Sequence, residues 1–367
     1  MQSEDSPTAG GNSGLEGLGL SSRQAPPQPG SSRRKSPVIS RQGQRPRNLR
    51  SRASASDLVF RGIARGGGAF VLVVMLLVGT FLALRAGQAL HKAGWSFLTT
   101  ANWAPNGGQF GIVAVMAGTC LIALVAVLTA VPLALGAALY ISEYAPRGIQ
   151  RLLTSVIDLM AAVPSVVFGL WGFWYFQWRA DYLSRWINDW FSWIPIFKVT
   201  GVNRTDAIVS MTHYTSSTFI AGMVVALMVT PIACSIMREA FSQAPLGERE
   251  GAYALGATKW GMIRAVVLPF GRGAIIGGTM LGLGRALGET IAVALIISTV
   301  FVVQPHILQN GGSSISSLIA LRYGAATPFE LSALMAAGLA LFGLTLIVNF
   351  FAALIVARSR SGAQSEA

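Results

Sequence analysis

The sequence predicts an all-α, polytopic membrane protein with about six transmembrane helices. Three observations carry that expectation. The 367-residue chain is 52% hydrophobic and only 12% charged, with a mean hydropathy of +0.54, and soluble domains carry about twice that charged share. Its apolar residues gather into runs of about 20 or more, enough to cross a hydrocarbon core of about 30 Å. The runs are continuous rather than alternating, which argues against the other spanning design, the β-barrel.

Residues 1–67 hold Ser, Gly, Pro, Gln and Arg without apolar periodicity, so they read as a disordered, basic, cytoplasmic arm. Arg33, Arg34, Lys35, Arg41, Arg45, Arg47 and Arg50 form a loose basic tract suited to anionic lipid. The arm is not a signal peptide, because its first apolar run begins only near residue 69. A transmembrane domain follows over 68–358, then a short cytoplasmic tail over 359–367. Spans are expected near 69–88, 110–141, 152–177, 217–238, 271–303 and 329–357. Pro132, Pro164 and Pro231 fall inside spans and favour kinks. The connection 178–216 carries Trp178, Tyr182, Trp186, Trp190, Trp193 and Phe197, a density that suits a segment at the membrane interface.

Lys and Arg exceed Asp and Glu by 28 to 15. They concentrate in the arm, the 142–151 loop, the 239–270 loop and the C-terminal tail. By the positive-inside rule both termini are cytoplasmic and 178–216 is external; that topology explains the charge without nucleic acid. Cys120 and Cys234 lie in spans as small apolar fillers. The histidines are scattered in loops, so no metal site is expected. No Ser/His or HExxH pattern accompanies the carboxylates within spans, Asp158 and Glu289, so no catalytic residue is assigned. Lys35, Lys92, Lys198 and Lys259 never follow a Gly, so the chain lacks a G-x-x-x-x-G-K-[ST] loop for ATP.

The stretch GTMLGLGRALGETIA (278–292) places charge inside an apolar run. On a helix, Met280, Leu283, Leu287 and Ile291 line one side; Gly278, Gly282, Arg285 and Glu289 line the other. Gly278/Gly282 and Gly284/Gly288 have the spacing that lets helices pack closely. Arg285 and Glu289 would sit one turn apart, about 6 Å. Either charge alone at the bilayer centre costs about 2.5–3.5 kcal/mol, so the pair belongs on a protein interior or a wet path. An intrahelical salt bridge that fixes packing is one reading. The other is a site on an anion path, because a guanidinium matches oxyanion geometry.

The stretch PLGEREGAYALGATKWGMIRAVVLP (245–269) reads as helix, turn, helix. Gly256 can end the first helix in a left-handed conformation, and Thr258 can cap a second over 259–268. It resembles the cytoplasmic EAA loop of ABC importer permeases: E-A-A, three residues, G, nine residues, I-x-L-P. Glu250, Ala252, Gly256, Leu268 and Pro269 match; Gly251 and Val266 stand where that pattern has Ala and Ile. The resemblance implies a MetI-like permease whose loop, here Glu250, Gly251, Ala252, Leu255, Gly256 and Ala257, docks on a separate ATPase.

With GLGRALGETIAV and AAVPSVVFGLWG added, the resemblance narrows to a permease subunit of phosphate-specific ABC importers and covers about residues 69–357. It implies phosphate passing Arg285 and Glu289, a PstA-like second permease in a heterodimer, a PstB-like ATPase dimer and a PstS-like external binding protein. It implies no cofactor in this chain, with ATP and Mg bound by the partner ATPase, in a bacterial inner membrane. The sister permease PstA is similar here; the aromatic loop and RALGETIAV set this chain apart from it. Sulfate or molybdate would suit Arg285 as well as phosphate. A secondary transporter driven by an ion gradient would show two similar halves, and no repeat of the 245–305 pattern is evident.

Overall fold

The computed structural model describes residues 55–201 and 211–360. The expected disorder of 1–54, the basic tract and the tail beyond 360 lie outside those residues. The chain divides into Met1–Gly62 and Ile63–Ala367. Of the first unit, only the opening turns of α1 (Ala55–Ala93) are described, with Asp57 and Arg61 paired at 3.2 Å. Residues 55–67, expected in the arm, are therefore helical.

The described part of the second unit is mostly helical. After α1 come the short α2 (Ser96–Thr99) and a small antiparallel hairpin, β1 (Trp103–Ala104) with β2 (Gln109–Phe110), in register Trp103↔Phe110. Then follow α3 (Val113–Leu139), closed by a π turn at Tyr140–Tyr144, and α4 (Arg147–Ala162). Next are α5 (Ser165–Trp171), a π turn at Gly172–Phe176 and α6 (Gln177–Phe191). α7 (Thr218–Ser242) leads to α8 (Leu246–Ala254), α9 (Lys259–Met262), a π turn at Ile263–Val267 and α10 (Leu268–Gly288). α11 (Ile291–Ile296), α12 (Ile315–Arg322) and α13 (Pro328–Arg360) complete the chain.

Among the described residues five helices are long and apolar enough to span a membrane, or six if one bent pair counts as a span. α7 is the central helix: two-thirds of its apolar window is buried, against α3, α10 and α4. Pro132 and Pro231 sit inside α3 and α7.

Two expected spans differ, the third and the fifth. The third span, expected as a kinked helix over 152–177, is two rods, 147–162 and 165–191, meeting at 90°. Pro164 starts the second rod, and the residue before a proline avoids helical dihedrals; Val163 is extended at ψ 129. The aromatic segment forms α6, with Trp178, Tyr182, Trp186 and Trp190 exposed. Its buried face is polar, with Asp181, Ser184 and Asn188; Asp181 meets Arg185 at 2.8 Å, and Asn188 donates to the Tyr214 hydroxyl at 3.2 Å. The fifth span, expected over 271–303, breaks at Glu289.

Candidate functional site

That break shapes the site. α10 ends at Gly288, and Glu289 turns to extended backbone (φ −65°, ψ 126°) before α11 begins. The freed carbonyl of Gly288 accepts the Thr290 hydroxyl at 3.0 Å. Glu289 is 8% exposed, and its Oε1 accepts the Ala292 N–H at 3.4 Å, at the start of α11. Its carbonyl accepts the Ser316 hydroxyl at 2.7 Å, which ties the break to α12. The carboxylate thus meets an amide in the first turn of α11, where a helix end favours negative charge.

Arg285 lies in the last turn of α10, exposed, where positive charge suits the helix end. No ion pair joins it to Glu289 among the described residues. The expected continuous helix is corrected at Glu289, which lies past the end of α10, yet both residues line one cavity. Arg285 stands at the junction of two cavities. One, about 640 Å³, is lined by Ile232, Met280, Leu281 and Asn349. The other, about 430 Å³, is lined by Ser165, Gly288, Glu289 and Thr290. Ser165 and Asn349 carried no signal of this role in the sequence. The VPS turn brings Ser165 in because α5 packs on α11 so closely that a Cβ on Gly169 would lie 2.8 Å from Ala292 Cα.

The glycines divide. A Cβ on Gly282 would lie 2.5 Å from Val229 Cγ1, and one on Gly278 3.3 Å from the Ala233 carbonyl, so both face α7. Gly284 and Gly288 have nothing within 4 Å to meet and leave the Arg285 face open. Among the described residues no helix of this chain packs on them.

The 245–269 loop is ordered. Pro245 leads into α8, Gly256 adopts φ +82°, and the Thr258 hydroxyl accepts the Gly261 N–H at 3.1 Å. Leu255 is 91% exposed, Glu250 and Gly251 are exposed beside it, and Ala252 and Ala257 are half-buried. The second helix does not stop at Pro269. A π turn at Ile263–Val267 lets the helix run on into α10 where proline supplies no N–H.

Apolar helices broken at a buried carboxylate, beside an exposed cation and open cavities, with an ordered exposed loop, are features that suit a membrane permease. The fold and motifs agree with the comparisons. Residues 130–361 match the profile of the binding-protein-dependent transport system inner membrane component. A phosphate transport system permease protein PstC of Xylella fastidiosa is 37% identical over 84% of this chain and 91% of its own. PstC 2 of Mycobacterium tuberculosis is 36% identical over 81% and 90%, and PstC of Pasteurella multocida 33% over 82% and 92%. A chain of the bacterial alginate ABC transporter shares the fold, at TM-score 0.52 and 16% identity over 81% of this chain and 94% of that one. The chain belongs to the binding-protein-dependent inner membrane component family, on its PstC branch.

Proposed function

We propose that this chain is a permease subunit that moves inorganic phosphate into the cytoplasm, driven by a separate ATPase. The observation that carries the reading is the 33–37% identity to PstC permeases across most of both chains. The chain is a transport subunit rather than an enzyme. Its partners are a PstA-like permease, a PstB-like ATPase dimer that holds ATP and Mg, and a PstS-like binding protein. Both termini face the cytoplasm of a bacterial inner membrane, as the Lys and Arg distribution favours.

Arg285 is the substrate-facing cation. It is exposed toward two cavities, it has no carboxylate partner among the described residues, and its fork of donors suits phosphate oxygens. Glu289 acts beside it by holding the α10–α11 break and thereby the place of Arg285. The segment Glu250–Ala257 meets the ATPase with Leu255 as its apolar knob. ATP and the loaded binding protein each favour one of two states of the bundle, and that difference drives the switch.

The test is labelled phosphate uptake in cells lacking the gene, complemented with wild type or Arg285→Gln at matched membrane abundance, with excess sulfate as competitor. The expected result is loss of uptake in the variant and no effect of sulfate on wild type. Wild-type uptake by Arg285→Gln would remove Arg285 from the path. Competition by sulfate would make the substrate a different oxyanion.

A further inference from the structure

Arg249 lies in α8 between two exposed acids, Glu248 and Glu250, yet its own side chain turns inward and is 17% exposed. Its guanidinium forks onto Glu143, which is 4% exposed: Nη1 donates to Oε2 at 3.1 Å, and Nη2 lies 3.1 Å from Oε1. Nη2 also donates to the carbonyl of Phe241. Glu143 belongs to the π turn that closes α3, and Phe241 to the last turn of α7. The next residue of that π turn, Tyr144, lies under the Lys259 ammonium, 4.6 Å from the ring centroid. Lys259 opens α9. Both arms of the loop, before and after Gly256, therefore hold the same turn of α3.

The connectivity gives this grip its meaning. The loop continues covalently into α7 at one end and, through α9, into α10 at the other. It has no covalent path of comparable length to α3, which packs along α7 in the centre of the bundle. A loop displacement reaches α7 and α10 through the chain but reaches the end of α3 through side chains. A desolvated ion pair carrying a charge-assisted hydrogen bond suits that task, since the bond is directional and its rupture strands a buried charge. A π turn suits it too, because the helical ladder is already loosened there. We propose that Arg249 and Glu143, assisted by Lys259 on Tyr144, form the strut that makes α3 follow the loop. They are positioning residues that touch neither phosphate nor nucleotide. The proposal rests on reading the loop as the ATPase contact.

The test uses the complete transporter reconstituted in liposomes, measuring phosphate imported and ATP hydrolysed together. At matched abundance and matched ATPase content, Glu143→Gln is expected to hydrolyse ATP while importing at least ~10-fold less phosphate per ATP. A ratio within about twofold of wild type would overturn the strut. A second variant serves if that one does not assemble: Glu143→Cys with Arg249→Cys in a Cys120→Ala background, Cys234 being buried. A reducible bis-thiol linker should raise its import per ATP, and reductant should reverse the gain; no response to linking or reduction overturns the proposal. If the wild-type complex imports no phosphate but its hydrolysis responds to the loaded binding protein, the substrate assignment fails. The strut is then read from that response alone.

Discussion

Gly282 and Gly284 are two residues apart on α10, yet alanine should act on them with opposite sign. A Cβ at Gly282 falls 2.5 Å from Cγ1 of Val229, which is 1% exposed on α7. Carbon contacts are comfortable at about 3.5–4.0 Å, so α10 and α7 must part by about 1 Å or Val229 must leave its rotamer. A β-branched side chain in a helix has little choice of rotamer. Overpacking of this kind costs about 1–3 kcal/mol. The better helix propensity of alanine returns about 0.8–1.0 kcal/mol, which leaves Gly282→Ala destabilised by about 0–2 kcal/mol. At Gly284 no atom lies within 4 Å of the added carbon, so only the propensity gain remains, about 1 kcal/mol of stabilisation. The assay is thermal unfolding of the detergent-purified chain, followed by tryptophan fluorescence. Val229→Ala removes the opposing methyl and should cancel the Gly282→Ala penalty in a double-mutant cycle. Equal midpoints for the two alanine variants, or no coupling to Val229→Ala, would refute the packing argument.

Three further outcomes are expected. Gly256→Ala forces a Cβ into a backbone at φ +82°, at about 1–2 kcal/mol; amide exchange in 251–258 should quicken while the midpoint of the bundle stays put. Leu255→Glu alters a side chain that is 91% exposed, so stability should move by no more than about 0.5 kcal/mol. Capture of the ATPase subunit in a pull-down should nevertheless be lost. Glu289→Ala removes the acceptor for the Ala292 N–H and should cost about 1 kcal/mol as a lost cap; unchanged amide exchange at Ala292 would show that the cap contributes nothing.

Signals that are local in the chain were legible. Continuous apolar runs announced the long helices, because backbone groups in lipid must be satisfied within the segment. Gly256 and Thr258 announced the loop, since a left-handed end and a hydroxyl cap need only neighbours within a few residues. Contacts that are distant in sequence were not legible. The periodicity of α10 runs unbroken through Glu289 with no proline to stop it, and what holds the break is Ser316, 27 residues away. The Arg249–Glu143 pair spans 106 residues. The aromatics of α6 were visible, but the side they would present was decided by the polar partners Asn188 and Tyr214, 26 residues apart. Pro164 marked a bend, while the 90° corner also reflects Gly169 and Gly172, where added Cβ atoms would strike Ala292 and Ile296.

That Arg285 and Glu289 form no ion pair among the described residues alters what each can contribute. Paired on one helical face, they would present a nearly neutral site, and either substitution would damage both packing and transport. In the structure the carboxylate is engaged with the start of α11 and the cation is exposed between two cavities. The two residues should therefore part in their effects, with Glu289 felt first in the folding of the α10–α11 break and Arg285 felt in uptake at normal stability. The open strip of Gly284, Arg285 and Gly288 adds a geometric reason. Small residues beside an exposed cation keep its surroundings clear, so an anion can reach the guanidinium without displacing a side chain and leave the same way. A path that must release its cargo requires that weak, accessible contact, and a buried salt bridge at the same place would oppose it.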